Sequence, residues 1–286
     1  MDLEQKAIER IKMASEMSLQ HYGLPLIITT SGGKDSDVCL ELAKRSGVPY
    51  EVQHSLTTAD APQTIYHIRQ QFRELELQGI KCTINLPIYR GQRTSMWKLI
   101  PAKQMPPTRL MRYCCEVLKE RAASNRLITT GVRWDESNAR RNRGVLESIG
   151  RKKENKIVLM NDNDEKRQLM ERCQLKAKIV CNPIIDWKTS DVWNYIKAEH
   201  FCINPLYYCG FDRVGCIGCP MVDKKRYFEF RIFPQYEQNY IRAFDRMLLE
   251  RERVGKTSDW KTGEDVFRWW MEEDPNQIRF EDVMEG

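Results

Sequence analysis

Long apolar runs are absent from the sequence, and none approaches the roughly 20 residues that a membrane span needs. The N-terminal segment, residues 1–17, is charged and helical in pattern, and it lacks the apolar core of a secretory signal peptide. Internal repeats and low-complexity tracts are also missing. We therefore expect a cytoplasmic globular protein that does not enter a membrane.

A disulfide framework is a poor explanation for the cysteine content, although ten of the 286 residues are cysteine. A chain of this length can bury a hydrophobic core without covalent crosslinks, and no export signal points to an oxidising compartment. Metal binding or thiol chemistry explains the cysteines better. The net charge of +6 is only a mild basic excess, compatible with an anionic ligand or nucleic acid. Basic clusters at 140–143 and 151–153 are either solvated loops or a surface for phosphates.

Strand and helix patterns alternate over most of the chain, which predicts an α/β fold with a doubly wound, mostly parallel sheet flanked by helices. After Pro220 the pattern is only helical, so we expect a nucleotide-binding α/β domain over 1–220, with an N-terminal helix at 1–22, and a helical C-terminal appendage over 221–286. The predicted strands are 24–30, 48–55, 81–86, 127–132 and 156–160. The other predicted helices are 35–46, 62–75, 108–122, 164–173, 190–200, 234–253 and 262–272.

The most informative motif follows the first predicted strand and reads Ser31-Gly32-Gly33-Lys34-Asp35-Ser36. A glycine-rich turn at the start of a helix presents backbone N–H groups to an anion, and the helix dipole favours negative charge there. Both glycines allow positive φ and leave room for a phosphate against the backbone, while the lysine and serines add hydrogen-bond donors. The spacing matches neither G-x-x-x-x-G-K-[ST] nor G-x-G-x-x-G.

Four cysteines form a candidate metal site: the adjacent pair Cys114-Cys115, and Cys216 and Cys219 in the C-x-x-C sequence GCIGCP. Glycines beside the C-x-x-C allow its two thiolates to converge on one metal. The adjacent pair cannot easily bond to itself, but it can direct two sulfurs at neighbouring corners of a cluster. Thiolate-only ligation suits either zinc or a [4Fe–4S] cluster, and residue identity alone does not decide between them.

The S-G-G-x-D-S loop resembles the pyrophosphatase loop of the PP-loop superfamily of adenine nucleotide α-hydrolases. The order of this loop, Cys-Cys and C-x-x-C resembles the phosphoadenylyl-sulfate (PAPS) reductase family, and it is similar to the DNA phosphorothioation proteins of the Dnd and Ssp systems. The resemblance runs from about residue 24 to residue 221. It implies that residues 31–36 hold ATP phosphates, with cleavage between the α- and β-phosphates. In the adenylyl-sulfate reductase branch, the same cysteine set carries a [4Fe–4S] cluster.

The segment GVRWDESNARR, residues 131–141, resembles the family's G-x-R-x-x-x-S-x-x-R segment. The resemblance implies that Arg133 and Arg140 face nucleotide phosphate or sulfate, since guanidinium forks suit tetrahedral anions. Lys34 and Arg133 are the expected catalytic residues, which offset charge on the leaving pyrophosphate. Either Asp35 or Asp60 is expected to help hold Mg²⁺ or the nucleotide. Reductases of the family use a nucleophilic cysteine in a C-terminal tail, whereas no cysteine follows Cys219 in this sequence.

Three functions remain open from the sequence. The favoured one is an ATP-dependent enzyme that adenylates an acceptor oxygen, after which sulfur displaces AMP. Nucleic acid is the candidate acceptor in this reaction. A cysteine desulfurase or another sulfur donor is the candidate partner. The second is a sulfonucleotide reductase that acts on adenylyl sulfate or PAPS with a thiol supplied from elsewhere. The third is a non-catalytic nucleotide-binding module of a larger complex, with a structural cluster or zinc. The oligomeric state is not indicated.

Overall fold

The computed structural model describes residues 2–120, 122–138, 140–149, 155–159, 178–222 and 224–272. The chain forms two compact units. The first comprises Met1–Ser55, Pro62–Asn85 and Ala122–Val214; the second comprises Leu56–Ala61, Leu86–Arg121 and Gly215–Gly286. These units do not coincide with the division at residue 220, because segments 56–61 and 86–121 are grouped with the C-terminal helices. That division stays a prediction.

The secondary structure of the described residues alternates as the sequence indicated. The strands are β1 (Leu26–Thr30), β2 (Tyr50–Ser55), β3 (Cys82–Asn85), β4 (Ile88–Tyr89), β5 (Gln92–Arg93), β6 (Leu127–Thr129), β7 (Leu146–Ile149), β8 (Asn155–Leu159) and β9 (Lys178–Cys181). The α-helices are α1 (Leu3–Tyr22), α2 (Lys34–Ser46), α3 (Pro62–Leu77), α4 (Met96–Lys103), α5 (Tyr113–Cys115), α6 (Thr189–Glu199), α7 (Lys225–Ile232), α8 (Pro234–Arg253) and α9 (Gly263–Trp270).

The first unit is built on a seven-stranded sheet with the order β3-β2-β1-β6-β9-β7-β8. Its first five strands in that order are parallel, whereas β7 and β8 pair antiparallel. Strand β1 is buried on both faces: Leu26 and Ile28 join the main core, and Ile27 packs with Ile128 and Val180 in a separate cluster. A parallel sheet with two apolar faces requires helices to cover it. The predicted mostly parallel α/β fold is confirmed.

Most predicted elements lie close to their predicted positions, but four strands and two helices of the described residues were not predicted. The missed elements are β4, β5, β7, β9, α4 and α7. Helix α8 has the predicted bounds, and α9 begins after Thr262, whose hydroxyl accepts from the Asp265 amide at 3.1 Å and so caps the helix. The predicted helix at 164–173 lies outside the described residues.

The predicted helix over 108–122 is wrong for its first half. Only Tyr113–Cys115 is α-helical, and Glu116–Glu120 continues as a π-helix. The Thr108 hydroxyl accepts a hydrogen bond from the Met111 amide at 2.9 Å, which closes a local turn instead of a helical one. Short π-helical segments occur often at functional sites, and this one directly follows the Cys114-Cys115 pair.

Aromatic side chains form much of the packing among the C-terminal helices of the second unit. Tyr240 of α8 lies 4.6 Å from the ring of Trp270 in α9 and 5.9 Å from that of Phe230 in α7, measured between ring centroids. Each such pair adds stabilisation beyond the burial of apolar area. In the part of the chain that the structure describes, no helix combines the length and apolar character that crossing a membrane requires.

Candidate functional site

The loop between β1 and α2 closes on itself through its serines. The Ser36 hydroxyl donates to the Gly33 carbonyl at 2.7 Å and accepts from the Ser31 amide at 3.2 Å. Helix α2 begins at Lys34, directly after Gly33. The first amides of a helix have no partner within it, and they carry the positive end of the helix dipole. The loop can therefore bind an anion such as a phosphate at the start of α2.

The two glycines of the loop have different backbone conformations. Gly32 has φ of 70°, whereas Gly33 has φ of −100° and ψ of 157°. Gly33 is extended because it is the N-cap of α2, where this backbone conformation is usual. A Cβ at Gly32 would lie 2.8 Å from Thr64 Cγ2, so close packing also requires glycine there.

Three charged residues predicted to act on the nucleotide meet beside the loop. Lys34 Nζ lies 3.1 Å from Asp35 Oδ2, and Arg133 Nε donates to Asp35 Oδ1 at 2.8 Å. Arg133 is 2% exposed, and it also donates to the Trp187 carbonyl at 3.3 Å. Asp35 therefore aligns the two cations that the sequence assigned to catalysis. Its expected contact with Mg²⁺ stays a prediction.

The segment that carries Arg133 and Arg140 also approaches α2 closely. A Cβ at Gly131 would lie 2.8 Å from the carbonyl carbon of Asp35, so only glycine allows this approach. Arg140 forms an ion pair with Glu136. Burial and the positive charge of the nearby Arg213 lower the pKa of Arg140. Lys34, Arg133 and Arg140 thus all lie in the first unit, with the glycine loop.

Two loop contacts come from residues that sequence reasoning missed. Asn204 Nδ2 donates to the Gly32 carbonyl at 2.9 Å, and the Lys34 amide donates to the Tyr207 hydroxyl oxygen at 2.9 Å. Burial raises the pKa of Tyr207, so its phenol is neutral. The Asn-Pro pair at 204–205 marks a turn in the sequence, but it carries no signal that this turn contacts a distant loop.

The four predicted metal ligands all lie in the second unit. Their thiol groups affect one another's pKa values. Cys216 is buried, and the other three are half-buried. A hydrogen bond between the adjacent cysteines raises the pKa of Cys114 and lowers that of Cys115. Cys216 and Cys219 also act on Cys114 through their charges. The structure therefore brings together two cysteine pairs that are far apart in the sequence.

Two cations on the cysteine-bearing segment neighbour these sulfurs. Arg112 Nη2 lies 3.5 Å from Cys115 Sγ as a hydrogen-bond donor. A negative charge on Cys216, when its thiol is ionised, raises the pKa of Lys119. Burial in turn raises the pKa of Cys216 to about 11. Nearby cations favour the thiolate, which is the form that ligates a metal.

The C-x-x-C turn is held by contacts within the second unit. Gly218 has φ of 73°, and its amide donates to Glu229 Oε2 at 2.7 Å. Cys216 forms an antiparallel bridge with Asp60, whose Oδ2 accepts from the Thr57 amide at 2.9 Å. Asp60 is thus part of the unit that carries the cysteines. Its predicted role in nucleotide or Mg²⁺ binding stays a prediction.

The donor set of four thiolates fits either a zinc ion or a four-iron cluster, and the choice between them stays a prediction. Among the described residues, no three Cys, His, Asp or Glu side chains converge closely enough to hold a single metal ion. Zinc requires its thiolates at about 2.3 Å from one centre, whereas a four-iron cluster takes each thiolate on a different iron.

Residues 25–222 match the phosphoadenosine phosphosulfate reductase domain. The chain belongs to this family. The resemblance to PAPS reductases that the loop and the cysteines indicated is thereby confirmed.

The chain is also similar to several individual proteins. It is 25% identical over 253 residues to one uncharacterized protein of Methanocaldococcus jannaschii (88% of this chain, 55% of the relative) and 28% identical over 248 residues to another (86% and 46%). The chain thus spans about half the length of these two relatives. It is 21% identical over 211 residues to an adenosine 5′-phosphosulfate reductase of Lysinibacillus sphaericus, covering 71% of this chain and 76% of that one. A PAPS reductase structure from Candida auris, in complex with phosphate, aligns with a TM-score of 0.46 and 17% identity over 74% of this chain and 88% of its own.

Proposed function

We propose that this protein binds ATP at the loop 31–36 and cleaves it between the α- and β-phosphates to activate an acceptor for sulfur transfer. The observation that carries the proposal is the loop itself, which places the first turn of α2 beside the cations Lys34 and Arg133, and Asp35 holds these two side chains together. Family membership supports an adenine nucleotide as the ligand.

In this reaction an acceptor oxygen attacks the α-phosphorus, and pyrophosphate leaves. The loop amides and Lys34 bind the departing phosphates, where they stabilise the charge that develops during bond breaking. Arg133 is buried and doubly anchored, so it offers a fixed positive charge at the same place. Asp35 or Asp60 would help to hold Mg²⁺, which would supply further positive charge to the phosphates. A sulfur nucleophile, delivered by a cysteine desulfurase or a similar donor, then displaces AMP from the acceptor. The basic segment 140–143 makes nucleic acid the candidate acceptor.

The cofactor assigned to the four cysteines is a [4Fe–4S] cluster, with zinc as the alternative. When bound, such a cluster positions substrates or carries electrons. Arg112 and Lys119 would balance the charge of the thiolates, and Glu229 would keep the C-x-x-C turn closed through the Gly218 amide. This assignment is tested by measuring the iron, sulfide and zinc contents of protein purified without oxygen. The same measurement on Cys216→Ala serves as the comparison.

The second candidate function is the reduction of adenylyl sulfate or PAPS. It is favoured by the family match and by relatives named as adenosine 5′-phosphosulfate reductases. Both functions use a nucleotide at the same loop, but they differ in their products. Reduction releases sulfite and depends on a thiol, whereas activation consumes ATP and releases AMP.

Product analysis with labelled ATP tests the proposal. Anaerobically purified protein is incubated with ATP, Mg²⁺, a sulfur donor and nucleic acid, and the nucleotide products are separated. We expect AMP and pyrophosphate, both lost in Lys34→Ala and retained in Lys44→Ala, which changes an exposed lysine of the same helix. Formation of ADP would contradict the proposal. Sulfite release from adenylyl sulfate without ATP cleavage would favour the reductase, and bound ATP without turnover would favour a non-catalytic module.

A further inference from the structure

One face of α3 lies against the glycine loop and the first turn of α2. The residues of this face, at helical spacing, are Thr64, His67, Ile68 and Gln71. Thr64 Cγ2 and Ile68 Cδ1 lie 2.8 Å and 3.1 Å from the position that a Cβ on Gly32 would occupy. Asn204 Nδ2 donates to both the Gly32 carbonyl and the Thr64 hydroxyl oxygen. Helix α3 therefore supports the loop directly, through contacts within the first unit.

The same face of α3 holds a buried carboxylate in the first turn of α2. His67 Nε2 lies 2.9 Å from Asp37 Oδ2, and Gln71 Nε2 donates to Asp37 Oδ1 at 3.0 Å. Asp37 is 2% exposed, and His67 is 7% exposed. The Asp37 amide donates to the Gly33 carbonyl at 3.0 Å, which is the first helical hydrogen bond after the loop. Both carboxylate oxygens of Asp37 are therefore held by α3, one helical turn from the glycines.

The position of Asp37 brings a carboxylate and an anion site to the same end of α2. The first turn of a helix attracts negative charge, which stabilises a carboxylate there as well as a bound anion. The two negative charges nevertheless repel each other, because a protein interior screens charges weakly. A positive partner for Asp37 cancels that repulsion. Within the described ranges, His67 is the only side chain that forms an ion pair with Asp37, and it does so when it is protonated.

The other ionisable groups around His67 are paired elsewhere or neutral. Those of α2 and of the turn 205–209, which packs on α3, are Lys34, Asp35, Cys39 and Tyr207. The first two pair with each other. Burial raises the pKa of both the thiol and the phenol, so neither is charged. The remaining ionisable side chains of α3 are exposed, and they are Tyr66, Arg69, Arg73, Glu74 and Glu76.

We infer that His67 is a positioning residue of the loop 31–36: it anchors the Asp37 carboxylate and, when protonated, cancels the negative charge that this carboxylate presents to a bound phosphate. This role rests on the proposed nucleotide site at the loop, and it concerns the binding step. Histidine gains or loses its charge between about pH 5 and 8, whereas a carboxylate stays ionised there. The pair is neutral at the lower end of that range and carries one negative charge at the upper end. Phosphate binding at the loop therefore weakens as the pH rises and His67 loses its proton.

Calorimetric titration of inorganic pyrophosphate into the wild type and His67→Gln, across this pH range, tests the inference. Glutamine keeps an Nε2 donor for Asp37, but it cannot take a positive charge. We expect His67→Gln to bind about fivefold more weakly than the wild type at about pH 5.5, the effect of one nearby charge. At about pH 8.5 the two proteins should bind equally. The ionisation of pyrophosphate itself cancels in this ratio. The control is His200→Asn, which removes an exposed imidazole and tolerates the left-handed backbone of that position, and it should match the wild type at every pH.

A second variant separates the charge of the pair from its packing. His67→Gln combined with Asp37→Asn removes both charges, so it should regain the wild-type affinity at about pH 5.5 and exceed it about fivefold at about pH 8.5. The wild type supplies an independent measurement, because the NMR signals of the His67 ring report its protonation. By reciprocity, bound pyrophosphate should keep His67 protonated to a higher pH. This last measurement does not depend on the folding of a variant.

The outcomes separate the role of His67 from the proposed function. An affinity ratio between the wild type and His67→Gln that is the same at every pH would overturn the inference, because a purely structural role predicts that result. A double variant as weak as the single one at about pH 5.5 would overturn it as well, since the charge of Asp37 would then not be the cause. If such a result accompanies formation of AMP from ATP, the proposed function stands without this role. A pH-dependent ratio in a protein that does not cleave ATP would support the role of His67, and the proposed reaction would fail.

Discussion

Tyr207 is the residue whose contact bears most directly on the anion loop. Its hydroxyl accepts from the Lys34 amide, one of the donors that a phosphate would use. Tyr207→Phe frees this amide while it keeps the ring against Trp193, so we expect pyrophosphate to bind about two- to tenfold more tightly, the effect of one neutral hydrogen bond. Titration beside Tyr208→Phe, which changes a residue that is 79% exposed, measures the effect. Weaker binding in Tyr207→Phe would show instead that the hydroxyl assists the ligand.

Asp186 connects α1 to the turn before α6. It lies 2.7 Å from both Lys6 Nζ and Arg10 Nη1. Burial alone would raise the pKa of Asp186, but hydrogen bonds from Arg10 and Lys6 outweigh it and hold the pKa below its usual value. A carboxylate with a lowered pKa stabilises the folded state above its unfolded pKa of about 3.9. That stability is lost as the pH falls through the lower folded value.

Asp186→Asn should therefore lower the free energy of unfolding at pH 7 by about 3 kcal/mol, because it leaves the buried Arg10 without its carboxylate. The difference from the wild type should shrink as the pH falls below about 4. Urea denaturation across this pH range measures it, with the exposed Asp259→Asn as the control. A loss of the same size at every pH would mean that the charge of Asp186 is not the cause.

The residues that could be predicted are those whose neighbours in the sequence determine their role. The loop 31–36 was recognisable because strand, turn and helix follow one another within a few residues. Asn204 and Tyr207 were not recognisable, since they reach the loop only after the chain has folded back. Arg133 was assigned from a family motif, but its pairing with Asp35 is a long-range contact.

At the scale of elements, the C-x-x-C turn depends on a glycine that no other residue can replace. Gly218 has φ of 73°, and a Cβ there would lie 2.4 Å from Phe230 Cζ in α7. A Cβ at Gly215, in the same turn, would meet nothing within 4 Å. Gly215 and Gly218, each directly before a cysteine of the turn, therefore allow a controlled comparison: an added methyl group meets a neighbour at Gly218 but not at Gly215.

Gly218→Ala should lower the free energy of unfolding by about 2 kcal/mol or more, through left-handed strain and overpacking. Because the same backbone carries Cys216 and Cys219, the metal content of the purified protein should also fall. Gly215→Ala should stay within about 0.5 kcal/mol of the wild type. Denaturant melts and metal analysis of both variants check this. Equal stability and equal metal content in the two variants would refute the role given to Gly218.

Long elements with clear periodicity were predicted best, and short ones worst. Helix α8 has twenty residues and its predicted bounds, since its apolar face repeats over five turns. The missed strands β4, β5, β7 and β9 have only two to four residues each, too few for a periodic pattern. The error at 108–112 arose because apolar residues at helical spacing outweighed a turn closed by Thr108.

At the scale of the whole molecule, the chain places its two candidate sites in different compact units. The nucleotide loop, Arg133 and Arg140 belong to the first unit, whereas the four cysteines and Asp60 belong to the second. Sequence order alone could not predict this grouping, because segments 56–61 and 86–121 interrupt the first unit. The grouping implies that each site can be altered without the loss of the other.

The central claim, a nucleotide site at the loop 31–36, is tested most directly by calorimetric titration of ATP. The titration compares the wild type with Lys34→Ala and Lys44→Ala, and the metal content of each sample is measured alongside. We predict that Lys34→Ala binds ATP at least about tenfold more weakly, since a charged contact to phosphate is lost. Its metal content should equal that of the wild type, and Lys44→Ala should match the wild type in both respects. Equal ATP affinity in all three proteins, or no ATP binding by the wild type, would contradict a nucleotide site at the loop 31–36.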